Sequence, residues 1–420
     1  MPLADDLRTA LGDAVDTSAE STAACAVDEV YPSAVVTPKS RAHMATAVAL
    51  VEASAGALIP VGGRTHLAQG NPPRHFDVAL SSAGLCEIVK HDAADMTVTV
   101  EAGVTLAQLA AVLRASGQWL PLDPARPKDV TVGGLVATDA NGPLRSSHGK
   151  VRDYLLGVRA VIGGGILVHG GGEVVKNVAG YDLPKLFVGS FGTLGVVVEA
   201  TFKVRPLPVA ELWLAGPCDS LVDAAERALG VVDAAIEPFA VDICDGAAAS
   251  DWGLASAAHL LVRLGGEEAE VRDQRDRLSR LGQGWQELSA SAAEKWRDFG
   301  AGGEVLVRLS CLPGVLPSLL ASIEKEAAAF GARVALVAHV ASGVLRLRVL
   351  AAAPLPFLRW LRFAAARGGG HVFIERLPAG LKRDIDAWGD APAPRELLGR
   401  VKQALDPKAT FSPGRFAGGL

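Results

Sequence analysis

Apolar residues recur along this chain at strand spacing and at helix spacing in turn, and this alternation predicts a mixture of strands and helices. The β-branched run at 34–36, the helix-like segment 41–54 and the apolar run 57–61 predict a β-α-β opening. Residues 196–204 are rich in valine and alternate in polarity, which predicts a well-buried strand. The runs 57–61 and 196–204 each adjoin a glycine-rich segment. The backbone beside them is therefore expected to turn sharply or to approach a ligand.

The second half of the chain has a different pattern. Beyond Pro206 and Pro208, glycine-rich loops give way to a regular alternation of strand-like and helix-like segments. Residues 305–374 follow the order β-α-β-β-α-β, which is typical of a ferredoxin-like unit. We therefore predict an α+β fold class with a domain boundary near Pro208.

Three of the glycine clusters lie close to predicted strands or on a long loop, namely Gly62-Gly63, Gly133-Gly134 and the GSFGTLG segment at 189–195. Consecutive backbone N–H groups without side chains can hold a doubly charged diphosphate. Each Gly-Gly pair alone is better explained by a turn or tight bend. Their joint occurrence beside a valine-rich strand favours a site for a large planar cofactor. The spacing fits neither the G-x-G-x-x-G of a nicotinamide Rossmann domain nor a P-loop.

Four short sequence motifs resemble those of a known family, and they occur in the same order as in that family. They are GNPP at 70–73, GQWLPLDP at 117–124, KNVAGYDLPKLFVGSFGTLG at 176–195 and ALDPKATFSPGRF at 404–416. They resemble the FAD-binding domain shared by vanillyl-alcohol oxidase, p-cresol methylhydroxylase and the FAD-linked 2-hydroxy-acid dehydrogenases. Within that superfamily the chain looks most like the FAD-binding accessory subunits of multisubunit glycolate oxidases.

The resemblance implies an architecture. It comprises a two-subdomain FAD-binding domain of p-cresol methylhydroxylase type, a ferredoxin-like α+β cap and a C-terminal tail that returns to the FAD domain. On this sequence the expected boundaries are an N-terminal arm at 1–27, the FAD-binding domain at 28–208, the cap at 209–385 and the C-terminal segment at 386–420.

The resemblance also implies a non-covalently bound FAD and no metal. The residues expected to bind the cofactor are Gly62, Gly63, Arg64, Thr65, His66, Pro121, Asp123, Thr131, Gly133, Gly134, Thr138, Gly142, Arg145, His148, Gly149, Gly192, Gly195, Val196 and Val197.

Arg64 departs from the family pattern, which usually has three glycines before the threonine. An arginine there can add a cation near the diphosphate, or it can obstruct the loop where the backbone needs a positive φ. We expect FAD binding to be retained but weakened. We also expect no covalent link, because His66 lies two residues past the point at which histidine-linked relatives attach their flavin.

Two other groups of residues have open interpretations. Arg145 and His148 either lie at the flavin edge, where a cation would stabilise the reduced anionic flavin, or are a surface arginine and a turn histidine. Tyr181 and Asp182 either face the ring or belong to ordinary packing.

The sequence offers no assignable catalytic base. The histidine-rich and acid-rich words of the catalytic 2-hydroxy-acid dehydrogenases, of the kind H-G-D-G-N and G-E-H-G, are missing. We therefore expect an FAD-binding subunit of a glycolate or D-lactate oxidase-like complex, with a larger catalytic flavoprotein and an iron–sulfur subunit as partners. The alternatives are a self-sufficient FAD-dependent dehydrogenase of a small 2-hydroxy acid or alcohol, and a flavin-free scaffold.

Composition excludes several other classes. A formal net charge of −5 provides no general basic field for nucleic acid. The five cysteines form no C-x-x-C pair, so neither a zinc nor an iron–sulfur site is expected in this chain. No uncharged apolar run reaches 18 residues, and the N-terminus lacks the pattern of a signal peptide. We expect a cytoplasmic protein that reaches a membrane only through its partners.

Overall fold

The fold comes from a computed structural model that describes residues 2–172, 182–255, 257–389 and 394–420. Strands and helices alternate along most of these residues. The strands are β1 Val15–Asp16, β2 Ala34–Val36, β3 Leu58–Val61, β4 Val78–Ser81, β5 Ile88–Asp92, β6 Thr97–Glu101, β7 Gln118–Trp119, β8 Leu155–Ile162, β9 Ile166–Gly171, β10 Val196–Lys203, β11 Arg205–Pro206, β12 Ala210–Cys218, β13 Ala240–Cys244, β14 Ala258–Gly266, β15 Gln286–Glu287, β16 Val305–Ser310, β17 Arg333–His339, β18 Val344–Leu350 and β19 His371–Arg376. The helices are α1 Pro2–Leu11, α2 Ala19–Ala24, α3 Arg41–Ala53, α4 Leu106–Arg114, α5 Val132–Thr138, α6 Arg145–His148, α7 Val151–Tyr154, α8 Pro184–Phe187, α9 Leu221–Asp233, α10 Gly246–Asp251, α11 Glu268–Arg280, α12 Ala290–Arg297, α13 Leu316–Ala329, α14 Pro354–Arg367 and α15 Arg395–Leu405.

The chain divides into two compact units. The first comprises Met1–Ala140, Lys150–Leu207 and Asp390–Leu420, and the second comprises Asn141–Gly149 and Pro208–Gly389. The second unit begins close to the predicted boundary near Pro208. It also takes in the short segment Asn141–Gly149, which the sequence interpretation had placed in the first domain.

The first sheet of the first unit has the strand order β1-β2-β4-β3. Strands β2, β4 and β3 run parallel. Parallel strands of one sheet need a crossover connection, and α3 provides the one between β2 and β3, which lie on either side of β4. The helix begins after the N-cap Ser40, whose side chain accepts a hydrogen bond from the backbone N–H of His43. The predicted N-terminal arm at 1–27 contains α1, and its Leu7 and Leu11 lie buried in the same core as α3.

The second sheet of the first unit is antiparallel, with the order β5-β6-β10-β8-β9. Its central strand β10 corresponds to the valine-rich run predicted from the sequence. Val196 and Val198 belong to the core that contains α3, whereas Val197 and Phe202 belong to the core that contains α4 and α5. Because both faces of β10 are buried, the glycine segment that leads into it is firmly positioned.

The second unit is built on an antiparallel sheet with the order β15-β12-β14-β13-β17-β18-β16-β19. Strands β16 to β19 with α13 and α14 follow the predicted β-α-β-β-α-β order, and strands β12 to β15 repeat the same arrangement. The two halves join where β13 pairs with β17. The predicted α+β class is therefore confirmed.

A chain of buried polar groups lies at this junction. The Asp242 carboxylate accepts hydrogen bonds from Trp296 Nε1 at 2.7 Å and from His339 Nδ1 at 2.8 Å. Arg346 donates to His339 Nε2 at 3.2 Å and to the carbonyl of Asn141 at 3.2 Å. The bond from Arg346 to Asn141 ties the segment Asn141–Gly149 into the second unit.

The carboxyl of Asp245 should make the free energy of unfolding depend on pH. Asp245 is the N-cap of α10 and accepts a hydrogen bond from the Ala248 N–H at 2.9 Å. Burial raises the pKa of its carboxyl from 3.8 to about 6, so the folded chain holds this proton more tightly than the unfolded chain does. Stability should therefore fall as the pH rises from about 4 to about 6. Asp245→Asn keeps the cap and removes the charge, and we expect it to raise the free energy of unfolding by about 1–3 kcal/mol above pH 6.

The measurement is urea unfolding of both proteins at pH 4 and pH 7.5. The advantage of Asp245→Asn should largely disappear at the lower pH. A wild-type protein that is the more stable of the two at pH 7.5 would contradict the prediction.

The described part of the chain has no helix long and apolar enough to span a bilayer. In the same residues no group of three or more His, Cys, Asp or Glu side chains is arranged to hold a metal ion. All five cysteines are free thiols, and all but Cys86 are buried.

Candidate functional site

An open cleft in the first unit brings the predicted glycine segments together. It encloses about 730 Å³ of space, its solvent-open mouth included, which is within the range of small-molecule sites. The residues that line it are Ile59, Pro60, Val61, Gly62, Gly63, Arg64, Thr65, His66, Leu67, Ser82, Thr131, Gly133, Gly134, Ala137, Thr138, Phe191, Gly192, Gly195, Val196, Val197 and Arg415.

The loop that follows β3 packs directly on the segment that precedes α5. A Cβ atom placed on Gly62 would lie 2.1 Å from Thr131 Oγ1, and one placed on Gly63 would lie 1.5 Å from the carbonyl oxygen of Asp129. No side chain fits at either position without displacing backbone or a buried hydroxyl. Glycine is required here because two segments of main chain meet.

The second segment is held by hydrogen bonds to the end of β6. The Val132 N–H donates to the carbonyl of Val104, and the Gly133 N–H donates to that of Ala102, each at 2.8 Å. Thr131 caps α5 by accepting from the Gly134 N–H at 3.3 Å. The glycine pair therefore occupies a fixed position at the base of the cleft.

The third segment, which leads into β10, is bonded to the end of α5. The Gly189 N–H donates to the carbonyl of Val136 at 3.0 Å, and the Phe191 N–H donates to that of Ala137 at 2.8 Å. Gly192 adopts a φ of +65° and packs on Pro60, where an added Cβ would lie 3.0 Å from the ring. Three segments that are far apart in sequence therefore pack together and line the same cleft.

The charge of the cleft suits an anion. Its ionisable side chains are Arg64, His66 and Arg415, and no aspartate or glutamate is among the described residues that line it. The His66 Nδ1 lies 2.8 Å from Thr65 Oγ1. A side-chain-free main chain, hydroxyl groups and positive charge together fit the diphosphate of FAD, and the valines of β10 supply an apolar surface.

Arg64 has a φ of 57°, a left-handed conformation that an L-residue with a side chain adopts at a cost. This is the position where the family usually has a third glycine. Its side chain is exposed and lies close to the buried Cys25 thiol, whose pKa is raised by burial while Arg64 opposes the rise. The positive charge is present, and so is the backbone strain.

We expect Arg64→Gly to raise the free energy of unfolding by about 1 kcal/mol, because glycine accepts the positive φ without strain. Arg64→Ala removes the same charge but keeps the Cβ, so it should give no such gain. Thermal or urea unfolding of the two variants beside the wild type measures the difference. Equal stabilities for the glycine and alanine variants would show that the strain is absent.

Several of the residues expected to bind the cofactor lie elsewhere. Pro121 and Asp123 belong to the first unit but do not line the cleft. The residues Gly142, Arg145, His148 and Gly149 group with the second unit.

The local contacts of that segment are with the second unit. The His148 ring packs edge-on against Phe239 with centroids 4.6 Å apart, and Ser147 Oγ donates to the Phe239 carbonyl at 2.6 Å. A role of Arg145 and His148 at the flavin edge therefore stays a prediction. Tyr181 lies outside the described residues, and Asp182 pairs with Lys185 on the surface.

The sequence interpretation missed several lining residues. Ile59, Pro60 and Val61 come from the strand before the first loop, and Ser82 follows β4. Phe191 lies inside the GSFGTLG segment and has a φ of 53°. Arg415 is the most informative omission, because it lies in the terminal word ALDPKATFSPGRF that supported the resemblance.

Comparison with known proteins identifies the family to which the chain belongs. Residues 32–171 match the family described as an FAD binding domain. The glycolate oxidase subunit GlcE of Escherichia coli (strain K12) is 33% identical over 339 residues, which cover 78% of this chain and 84% of that one. The glycolate oxidase subunit GlcD of Bacillus subtilis (strain 168) is 30% identical over 214 residues, or 51% of this chain and 46% of that one.

A solved structure agrees on the fold. That of p-cresol methylhydroxylase with substrate bound has a TM-score of 0.78 and covers 99% of this chain and 96% of its own, at 16% identity. The predicted p-cresol methylhydroxylase type of fold is confirmed. This protein belongs to the FAD-linked oxidase superfamily and, within it, to the family of FAD-binding glycolate oxidase subunits.

Proposed function

We propose that this protein is the FAD-binding subunit of a glycolate or D-lactate oxidase-like complex that oxidises a small 2-hydroxy acid. The observation that carries the proposal is the meeting of three glycine segments in one positively charged cleft. The relatives named as glycolate oxidase subunits support the choice of substrate class.

The residues of the cleft have distinct roles in this proposal. The main chain at Gly62, Gly63 and Gly133 binds the diphosphate, and the hydroxyls of Thr65 and Thr131 provide further polar contacts. The buried strand β10 supplies the apolar surface that keeps water from the cofactor. When bound, FAD accepts the hydride of the carbon that carries the substrate hydroxyl.

The proposal assigns the proton chemistry to a partner. Oxidation of a 2-hydroxy acid needs a base for the hydroxyl proton, and His66 is the only histidine among the described residues that line the cleft. Its Nδ1 already lies against Thr65 Oγ1. We therefore propose a larger catalytic flavoprotein and an iron–sulfur subunit as partners, the electrons passing to the latter, and a cytoplasmic complex that meets a membrane only through these chains.

The test is co-expression with the neighbouring subunits, followed by purification and a visible spectrum. We expect a yellow protein that co-purifies with a flavoprotein and an iron–sulfur protein, and whose flavin bleaches without oxygen on adding glycolate or D-lactate only in the complex. Acid precipitation should release the colour, because the proposed FAD is not covalently bound. A colourless chain that takes up no added FAD would instead indicate a flavin-free scaffold.

A self-sufficient FAD-dependent dehydrogenase of a small 2-hydroxy acid or alcohol is the alternative. Bleaching of the flavin by substrate in the isolated chain, without oxygen and without partner subunits, would establish this function and displace the first.

A further inference from the structure

The C-terminal tail, residues 406–416, forms part of the cleft-bearing unit through backbone pairing with β3. The Leu58 N–H donates to the carbonyl of Thr410, and the Ser412 N–H donates to that of Leu58, each at 2.8 Å. Ser412 Oγ also donates to the Gly192 carbonyl at 3.1 Å. The tail thus joins the strand before the first glycine loop to the segment before β10.

A buried ion pair anchors the start of the tail. Lys402 Nζ donates to Asp406 Oδ2 at 2.5 Å, to the Thr193 carbonyl at 2.6 Å and to the Phe411 carbonyl at 2.8 Å. The Asp406 carboxylate accepts from the N–H groups of Thr410 and Phe411, each at 2.9 Å. The position of the tail is therefore set by several mutually dependent hydrogen bonds.

The tail delivers one cation into the cleft. Arg415 lines the cleft although its side chain is only 6% exposed. Its Nη2 donates to the carbonyls of Leu67, at 2.6 Å, and Gln69, which follow the first glycine loop. Burial lowers the pKa of Arg415 to about 10, with Asp28 opposing the change, so the guanidinium stays charged at neutral pH.

The other arginine of the cleft is less suited to this role. Arg64 is exposed to solvent and lies beside Cys25. A charge in water is screened, whereas a buried guanidinium interacts more strongly with a nearby anion.

Building on the proposed function, we infer that Arg415 is a cofactor-binding residue whose positive charge holds the diphosphate of FAD, and that the C-terminal tail therefore completes the cofactor site. The tail is then a binding element and more than a structural strap.

The experiment is titration of apoprotein with FAD, followed by quenching of flavin fluorescence at low and high ionic strength. Arg415→Gln should raise the Kd about 10- to 100-fold, the usual effect of losing a hydrogen bond to a charged group. Arg415→Lys keeps the positive charge but lacks the planar guanidinium group, so its Kd should lie between those of the wild type and Arg415→Gln. Arg74→Gln is the matched control, because exposed Arg74 donates to a carbonyl just beyond the tail, that of Gly419 at 2.6 Å, without lining the cleft.

Limited proteolysis of the apoproteins separates binding from tail docking. The inference predicts that Arg415→Gln binds FAD weakly while its tail resists protease as well as that of Arg74→Gln. A tail that is cut faster in proportion to the lost affinity would overturn it, as would equal Kd values for the two glutamine variants. Absence of FAD uptake by the wild type would reject the proposed function itself, and this inference with it.

Discussion

Gly63→Ala is expected to raise the Kd for FAD at least about 100-fold, which corresponds to about 2.7 kcal/mol. The added Cβ would lie 1.5 Å from the carbonyl oxygen of Asp129, so the loop after β3 must move away from the segment before α5. That movement separates the two main-chain segments that we propose to bind the diphosphate. The measurement is fluorescence titration of the apoprotein with FAD.

Gly399→Ala is the control for this prediction. Gly399 lies within α15, and a Cβ there would meet nothing within 4 Å. Since alanine favours a helix over glycine by up to about 1 kcal/mol, this variant should be slightly more stable and should bind FAD normally. If Gly63→Ala bound FAD as tightly as Gly399→Ala, the role of the first loop would be refuted.

Lys402→Met is expected to lower the free energy of unfolding by about 3–5 kcal/mol. The substitution leaves the carboxylate of Asp406 buried without its cation, and it also orphans the carbonyls of Thr193 and Phe411. Urea unfolding of the apoprotein, monitored by circular dichroism, measures the loss.

Two further variants identify the cause of that loss. Lys408→Met removes a lysine of the same tail that is 62% exposed and pairs with Glu52 at 3.4 Å, so its cost should be below about 1 kcal/mol. The double variant Lys402→Met/Asp406→Asn removes the buried charge while an amide oxygen still accepts from Thr410 or Phe411, so it should recover part of the stability. A double variant no more stable than Lys402→Met alone would show that the uncompensated charge is not the cause.

The features that could be predicted from the sequence were those encoded locally. Gly62, Gly63, Gly133 and Gly192 could be predicted because a contact too close for a Cβ atom requires glycine, which is visible in the sequence. The strand β10 was recognised because a segment buried on both faces must be apolar on both. The repeated β-α-β-β-α-β order could be predicted because apolar residues recur at a different spacing in strands and in helices.

What the sequence could not provide depended on contacts between distant segments. Arg415 donates a hydrogen bond to Leu67, which lies 348 residues earlier in the chain. The sequence around these two residues has no pattern that predicts this contact. The grouping of Asn141–Gly149 with the second unit depends on Arg346 and Phe239, which belong to β18 and to the residues before β13. The strain at Arg64 was anticipated only as one of two alternatives, because a φ angle is set by the loop around a residue and not by its identity.

The pairing of β3 with the tail also dictates the order in which the protein can mature. A ribosome makes β3 early and its partner near residue 411 only after all of the second unit has been synthesised. The second unit can therefore fold during translation, whereas the pairing of β3 with the tail forms only afterwards. With Arg415 in the cofactor site, as inferred above, tight cofactor binding becomes a late event, and nascent chains stalled before residue 406 should bind FAD more weakly than the full chain.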